Sequence, residues 1–248
     1  MSKISREQVQ EWFAAPETVS YYTKAVDEIG LWNSERAFFT KYLPKQGRIL
    51  DLGCGAGRTT FGLHRLGYTD LVGVDISPGM VEAAQGHARR LGLSIPFVVG
   101  DACSLPFDEN EFDGALFSFN GLMQIPRREN RVKAFSEIWR VLKPGAFFVF
   151  TTHDRESQPE FFPYWEQETA LWEAGEQDPR LHEFGDRLVK EGNRVIFIHI
   201  PTRAEVLSCL EEAGLKYVED AWRPDISEDD PQVVRYFSGS CRFWAVQK

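Results

Sequence analysis

Three glycines at alternate positions, Gly53, Gly55 and Gly57, follow the short apolar run of Ile49, Leu50 and Leu52. Thr59, Thr60 and Leu63 then take up helical spacing. Glycine loses more chain entropy on folding than any other residue, so such a cluster needs a reason. Close approach of a ligand to the backbone, where any Cβ would intrude, supplies one. Asp51 stands inside the run, where a buried strand prefers Val or Ile. The segment therefore reads as a strand, a ligand-facing turn and a helix start.

The remainder of the first 152 residues repeats this rhythm. Residues 1–46 read as helices, with Val9, Trp12 and Phe13 on one apolar face and Leu31, Trp32, Phe38 and Phe39 on another. Tyr21-Tyr22 between them are either aromatics packing a helix pair or part of a lid over a bound ligand. Pro44–Gly47 is a turn. Leu71–Asp75, Ile95–Asp101, Phe112–Ser118 and Ala146–Thr151 read as further short strands. Ser77-Pro78 opens one intervening helix as N-cap and first-turn proline, and Lys143-Pro-Gly145 stops another. Strands alternating with helices predict right-handed crossovers and an α/β, doubly wound, mostly parallel sheet with helices on both faces. In such sheets ligands bind beyond the carboxyl ends of the strands. Asp51, Asp75, Asp101 and Ser118 all fall at or near those ends.

From His153 to Pro201 the rhythm breaks. The segment holds Phe161, Phe162, Tyr164, Trp165 and Trp172, with five Lys/Arg against eleven Asp/Glu. It is too aromatic for a disordered linker and reads as an inserted cap, with an added strand at Arg194–Ile200. A helix from Thr202, stopped at Gly214, precedes two closing strands at 215–218 and 242–246, and 223–235 reads as a surface loop. The expected division is a helical lid (1–46), an α/β core (47–152), a cap (153–201) and a closing helix and strands (202–248).

Composition excludes several classes. A net charge of −9, with no basic run longer than Arg89-Arg90 or Arg127-Arg128, disfavours a nucleic acid partner. No apolar stretch approaches the roughly 20 residues of a membrane span, and no signal peptide is expected. Cys54, Cys103, Cys209 and Cys241 are scattered, which predicts reduced thiols in a cytoplasmic setting and no metal site.

Asp75 stands 18 residues beyond Gly57, the distance at which an acid accepts from ribose hydroxyls in nucleotide-binding α/β sheets. The third glycine nevertheless comes one residue too early for the dinucleotide fingerprint, and no G-K-[ST] sequence makes a phosphate loop. With Ile49–Gly57, Gly73–Ser77, Gly100–Ala102, Leu105–Asp108, Phe112-Asp113 and Ile138–Gly145, the chain resembles a class I S-adenosylmethionine-dependent methyltransferase over about residues 45–152.

That resemblance implies cofactor contacts. Backbone at Gly53, Cys54 and Gly55 would flank the methionine and ribose, with Asp51 toward the ammonium group, directly or through water. Asp75 would hold the ribose hydroxyls and Ile76 would pack on the adenine. Asp101 and the Ala102 amide would read the adenine edge, and Ser118 and Phe119 would line the methionine side. Transfer would be an in-line displacement to a small organic acceptor, producing S-adenosylhomocysteine. Asn120, His153, Asp154, Tyr164, His182 and His199 are candidates for the acceptor side. His153 follows a strand end and is the best-placed base, with Asn120 and Tyr164 beside it, whereas His199 in an alternating strand suits a structural role. A cofactor-binding regulatory subunit without its own activity, and a methyltransferase for RNA or protein, remain alternatives. The oligomeric state and the acceptor are not encoded in these patterns.

Overall fold

A computed structural model of the chain describes residues 2–192, 194–230 and 239–248. Helices α1 (Arg6–Ala14), α2 (Pro16–Glu28) and α3 (Asn33–Tyr42) come first. Ser5 caps α1 in a reciprocal box with Gln8, and Pro16 opens α2, where its missing N–H costs nothing. Strands and helices then alternate: β1 (Arg48–Leu52), α4 (Arg58–Arg65), β2 (Asp70–Asp75), α5 (Pro78–Leu91), β3 (Phe97–Val99) and β4 (Phe112–Phe117). A 3-10 turn at Gly121–Gln124 leads into α6 (Arg128–Val141) and β5 (Leu142–Thr152). Next come α7 (Phe162–Ala174), a hairpin of β6 (Asp186–Glu191) and β7 (Arg194–His199), and α8 (Arg203–Glu212). The chain closes with β8 (Lys216–Trp222), α9 (Arg223–Ile226) and β9 (Arg242–Gln247).

Seven strands form one sheet in the order β3-β2-β1-β4-β5-β9-β8, parallel from β3 to β5 and antiparallel at β9 and β8. The expected doubly wound, mostly parallel α/β sheet is what forms. Successive strand residues face opposite sides. Leu50, Leu52, Val72 and Val74 pack with Phe135 and Ile138 of α6 and Leu210 of α8. Ile49, Leu71, Leu116 and Val149 face the other way, onto Phe38 and Phe39 of α3 and Leu63 of α4. Coverage of both faces is why these strands read as continuous apolar runs. The order of strands reverses between β1 and β4, which pair with Asp51 beside Leu116, so the crevice beyond their ends is the ligand position of this architecture.

Three local expectations shift. The third strand is confined to Phe97–Val99. Lys143-Pro-Gly145 does not separate helix from strand, because β5 starts at Leu142 directly after α6. Gly145 absorbs the change of direction at φ 81°, where its N–H donates to the Lys248 carbonyl. Residues 223–226 are a short helix with Arg223 buried rather than part of a surface loop, while 231–235 lie outside the described residues. No helix among the described residues is long and apolar enough to cross a membrane.

Candidate cofactor and acceptor sites

All three loop glycines have positive φ, 57° at Gly53, 55° at Gly55 and 94° at Gly57. Their reasons differ. A Cβ at Gly53 would lie 2.3 Å from the Phe117 ring, and one at Gly57 2.5 Å from the Phe61 ring, so these two are packing glycines. A Cβ at Gly55 would meet nothing within 4 Å among the described residues. Of the three, only Gly55 would present a Cβ to open space.

That space is a cavity of about 120 Å³ at the switch point. The glycine loop, Asp75 and Ile76, Asp101 and Ala102, and Ser118 and Phe119 all line it, contributed by the ends of β1, β2, β3 and β4. The loop holds Asp75 in place: its Oδ2 accepts from the Gly55 N–H at 2.8 Å and its Oδ1 from the Ser77 N–H at 2.9 Å. Burial pushes the Asp75 pKa up to about 6 against these two bonds. Asp101 Oδ1 accepts from the Cys103 N–H at 2.8 Å, and its Oδ2 from Arg6 Nη1 at 2.6 Å. Burial drives the Cys54 thiol well above its ordinary range, so it stays protonated and packs as a small apolar group.

Asp51 is not in the lining. It sits on the α4 side of β1, behind the glycine loop, where its Oδ2 accepts from Thr60 Oγ1 at 2.6 Å. Burial raises its pKa to about 7, with Thr60 opposing.

Arg58 and Glu35 escaped the sequence pattern, and Tyr22 is one half of the doublet read there as helix packing or a lid. Arg58 lines the cavity from the first turn of α4, next to Ser118 and Phe119. Its Nη1 and Nη2 each donate to a Glu35 carboxylate oxygen at 2.6 Å, and its Nη1 also reaches the Gly30 carbonyl at 2.7 Å. Burial works against the Glu35 charge, but the Arg58 pairing outweighs it and holds the carboxyl below its usual range. The guanidinium carbon lies 5.0 Å from the Phe119 ring centroid. Signals existed for two of the three: a cation at a helix N-terminus opposes the macrodipole and calls for a counter-ion, and Tyr22 belongs to the doublet between helices. Tyr22 meets Phe119 edge-on at 6.1 Å, and burial lifts its phenol to about 12.

The acceptor-side candidates do not converge. Asn120 Nδ2 and His153 Nε2 stand 3.2 Å apart, at the ends of β4 and β5. His153 Nδ1 donates to the Ser240 carbonyl at 2.8 Å, and burial lowers the pKa, which leaves Nε2 as an acceptor for the Asn120 amide. Asn120 adopts φ 61°, and its buried Oδ1 has no hydrogen-bond partner among the described residues. Tyr164 lies under the Arg187 guanidinium, 4.0 Å from its ring centroid, away from the cavity lining. Asp154 holds a turn through the Glu156 N–H and Ser157 Oγ. His182 Nε2 donates to the Ile4 carbonyl at 2.6 Å. His199 pairs through Nδ1 with Asp186 Oδ1 at 2.8 Å. Glu183 joins that pair to make a cluster with metal-ligand chemistry, but Asp186 Oδ2 already accepts two backbone N–H groups and Glu183 is held by Arg131.

Residues 49–145 match a model of the methyltransferase domain. The chain is similar to 24-methylenesterol C-methyltransferase 2 of Arabidopsis thaliana, 36% identical over 104 residues, or 41% of this chain and 28% of that protein. It is similar to squalene methyltransferase 1 of Botryococcus braunii, 32% identical over 135 residues, or 54% of this chain and 34% of the other. It thus spans about a third of the length of these curated relatives. Among solved structures, a methyltransferase from Methanosarcina mazei superposes with a TM-score of 0.70 at 22% identity, over 89% of this chain and 99% of that one. The [4+2]-cyclase SpnF superposes at 0.68 with 19% identity, over 100% and 98%, so the same fold also carries a cyclase. The matched segment is a methyltransferase domain, and the fold is the one shared with S-adenosylmethionine-dependent methyltransferases.

Proposed function

We propose that this chain transfers a methyl group from S-adenosylmethionine to a small organic acceptor. The observation that carries the reading is one cavity bounded together by the glycine loop, Asp75, Asp101 and Arg58. The residues fit the cofactor: two strand-end acids accept from a ribose and a purine amino group, the missing Cβ at Gly55 keeps the space between them open, and the Arg58–Glu35 pair closes the far side. When bound, the cofactor supplies an electrophilic sulfonium methyl.

The chain's own contribution is orientation and exclusion of water, which are worth several kcal/mol in a displacement. Phe13, Tyr22 and Phe119 line the cavity with aromatic surface, so residues 1–46 act as the lid. Residues 153–201 act as the cap on the acceptor side. His153, neutral and fixed by Ser240, orients the Asn120 amide, and the unpartnered Asn120 Oδ1 is available to an acceptor N–H or O–H. Tyr164 supports the cap beneath Arg187.

Incubation with S-adenosyl-[methyl-³H]methionine and a panel of small amines, alcohols, phenols and alkenes tests this reading. Label recovered in a small molecule supports it. Label found only in protein or RNA assigns the activity to a macromolecular acceptor instead.

A further inference from the structure

A second cavity, of about 60 Å³, lies on the other side of the 3-10 turn from the first. Gly121 and Gln124 of that turn border the cofactor cavity, while Leu122 and Met123 border this one. Its remaining wall comes from α6, α8, the end of β5 and the end of β7. It therefore lies between the fourth and fifth strand ends and residues 153–201.

His199 is fully buried in this wall. Its Nδ1 is committed to Asp186 Oδ1, and Asp186 Oδ2 is committed to the His182 and Glu183 N–H groups, so tautomer and ring plane are fixed. Nε2 is the one ring nitrogen left over. The nearest carboxylate oxygen, Glu205 Oε2, also borders the cavity and stands 3.8 Å away, too far for a hydrogen bond. With Nδ1–H donating to Asp186, Nε2 is an acceptor, and a ligand oxygen about 2.8 Å away satisfies it by donating its O–H.

Charge decides what carries that oxygen. Arg131 is paired with Glu183 at 3.0 Å, Arg128 with Glu212 at 2.7 Å and Glu205 with Arg155 at 2.5 Å, so an ionic ligand finds no free counter-charge among the described residues. The rest of the wall, including Leu122, Met123, Phe135 and Val206, is apolar. The volume accommodates about four waters or a single six-membered ring.

We propose that this cavity binds an uncharged hydroxyl-bearing ring compound, its hydroxyl donating to His199 Nε2.

Phenol is the probe, and the imidazole resonances of the full chain labelled at histidine are the readout, with His199 assigned through His199→Gln. Phenol should shift the His199 signal saturably and leave the other histidines in place. Benzene, the same shape without the hydroxyl, should bind about five- to tenfold more weakly, as expected for a lost hydrogen bond. Val206→Phe, which fills the cavity, should abolish the shift while the His199 signal persists in a folded chain. An unmoved His199 signal, equal shifts from phenol and benzene, or a shift that survives Val206→Phe overturns the proposal, the first result meaning that the cavity holds water only. Titration of S-adenosylhomocysteine on the same samples separates the two ideas: no binding there overturns the methyl-transfer reading, while the phenol shift alone decides this second site.

Discussion

Arg6 and Asp101 form an ion pair across the cofactor cavity, with Nη1 2.6 Å from Oδ2 and each side chain about one-third exposed (32% and 31%). Asp101 Oδ1 is taken by the Cys103 N–H, so Oδ2 is the oxygen a purine amino group would need. Helix α1 is also tied down near the cap, through Ile4 N–H to the Arg180 carbonyl at 3.1 Å. A partly exposed pair is worth at most about 1 kcal/mol, which suits a contact that a ligand displaces. Arg6→Leu should speed S-adenosylhomocysteine association by about three- to fivefold in stopped-flow fluorescence and remove its dependence on salt. Faster dissociation with unchanged association would instead make Arg6 part of the grip on the ligand.

The Arg58–Glu35 pair makes a stability prediction. Both side chains are nearly sealed, at 8% and 2% exposure. Glu35→Ala leaves a buried guanidinium without its counter-ion and should cost about 3–5 kcal/mol in urea unfolding. Replacing both residues by apolar ones, Arg58→Met with Glu35→Leu, should cost less than Glu35→Ala alone. A loss below about 1 kcal/mol for Glu35→Ala would mean that Arg58 finds water or another partner.

Stability should also depend on pH in a defined direction. Asp51 and Asp75 have pKa values raised to about 7 and about 6 from an ordinary 3.8. The folded chain therefore keeps protons that the unfolded chain releases. Their contribution is full below the unfolded pKa and is lost as pH rises through 6 and 7. Glu205 acts oppositely: burial opposes its charge, but the neighbouring His199 and the bonds from Arg155 and the Thr202 N–H hold it at about 2 against an ordinary 4.5, so its contribution is lost as pH falls through that range. Urea midpoints should decline from pH 5 to pH 8, and Asp51→Asn should flatten that decline. An unchanged slope in Asp51→Asn would assign the effect elsewhere.

The parts of the site that were legible in sequence are local. The glycine loop, Asp75, Asp101 and Ser118 each sit at a strand end, and alternation of strands and helices places strand ends together. The sequence did not disclose pairings made by helix docking. Arg6 meets Asp101 across 95 residues and Arg58 meets Glu35 across 23, with no period linking them. Asp51 is a related case. Strand alternation puts it on the face of Ile49 rather than in the crevice, and only the packing of α4 supplies Thr60 as its partner.

The loop glycines separate packing from ligand space. Gly53→Ala drives a Cβ into the Phe117 ring at a positive φ and should lower the urea midpoint strongly. Gly55→Ala carries only the backbone cost of about 1–2 kcal/mol, yet places its methyl in the cavity. It should weaken S-adenosylhomocysteine binding while unfolding stays close to wild type by comparison. Equal binding by Gly55→Ala and wild type would place the ligand elsewhere.

Isothermal titration of S-adenosylhomocysteine into wild type and Asp75→Ala tests the central claim most directly. Asp75 is fixed by two backbone N–H groups and faces the cavity, so its loss removes ribose contacts without opening the core. The account predicts one site per wild-type chain and at least about a tenfold loss of affinity in Asp75→Ala, the worth of hydrogen bonds to a charged group. No heat of binding from the wild-type chain, or equal affinity in the two proteins, would contradict it.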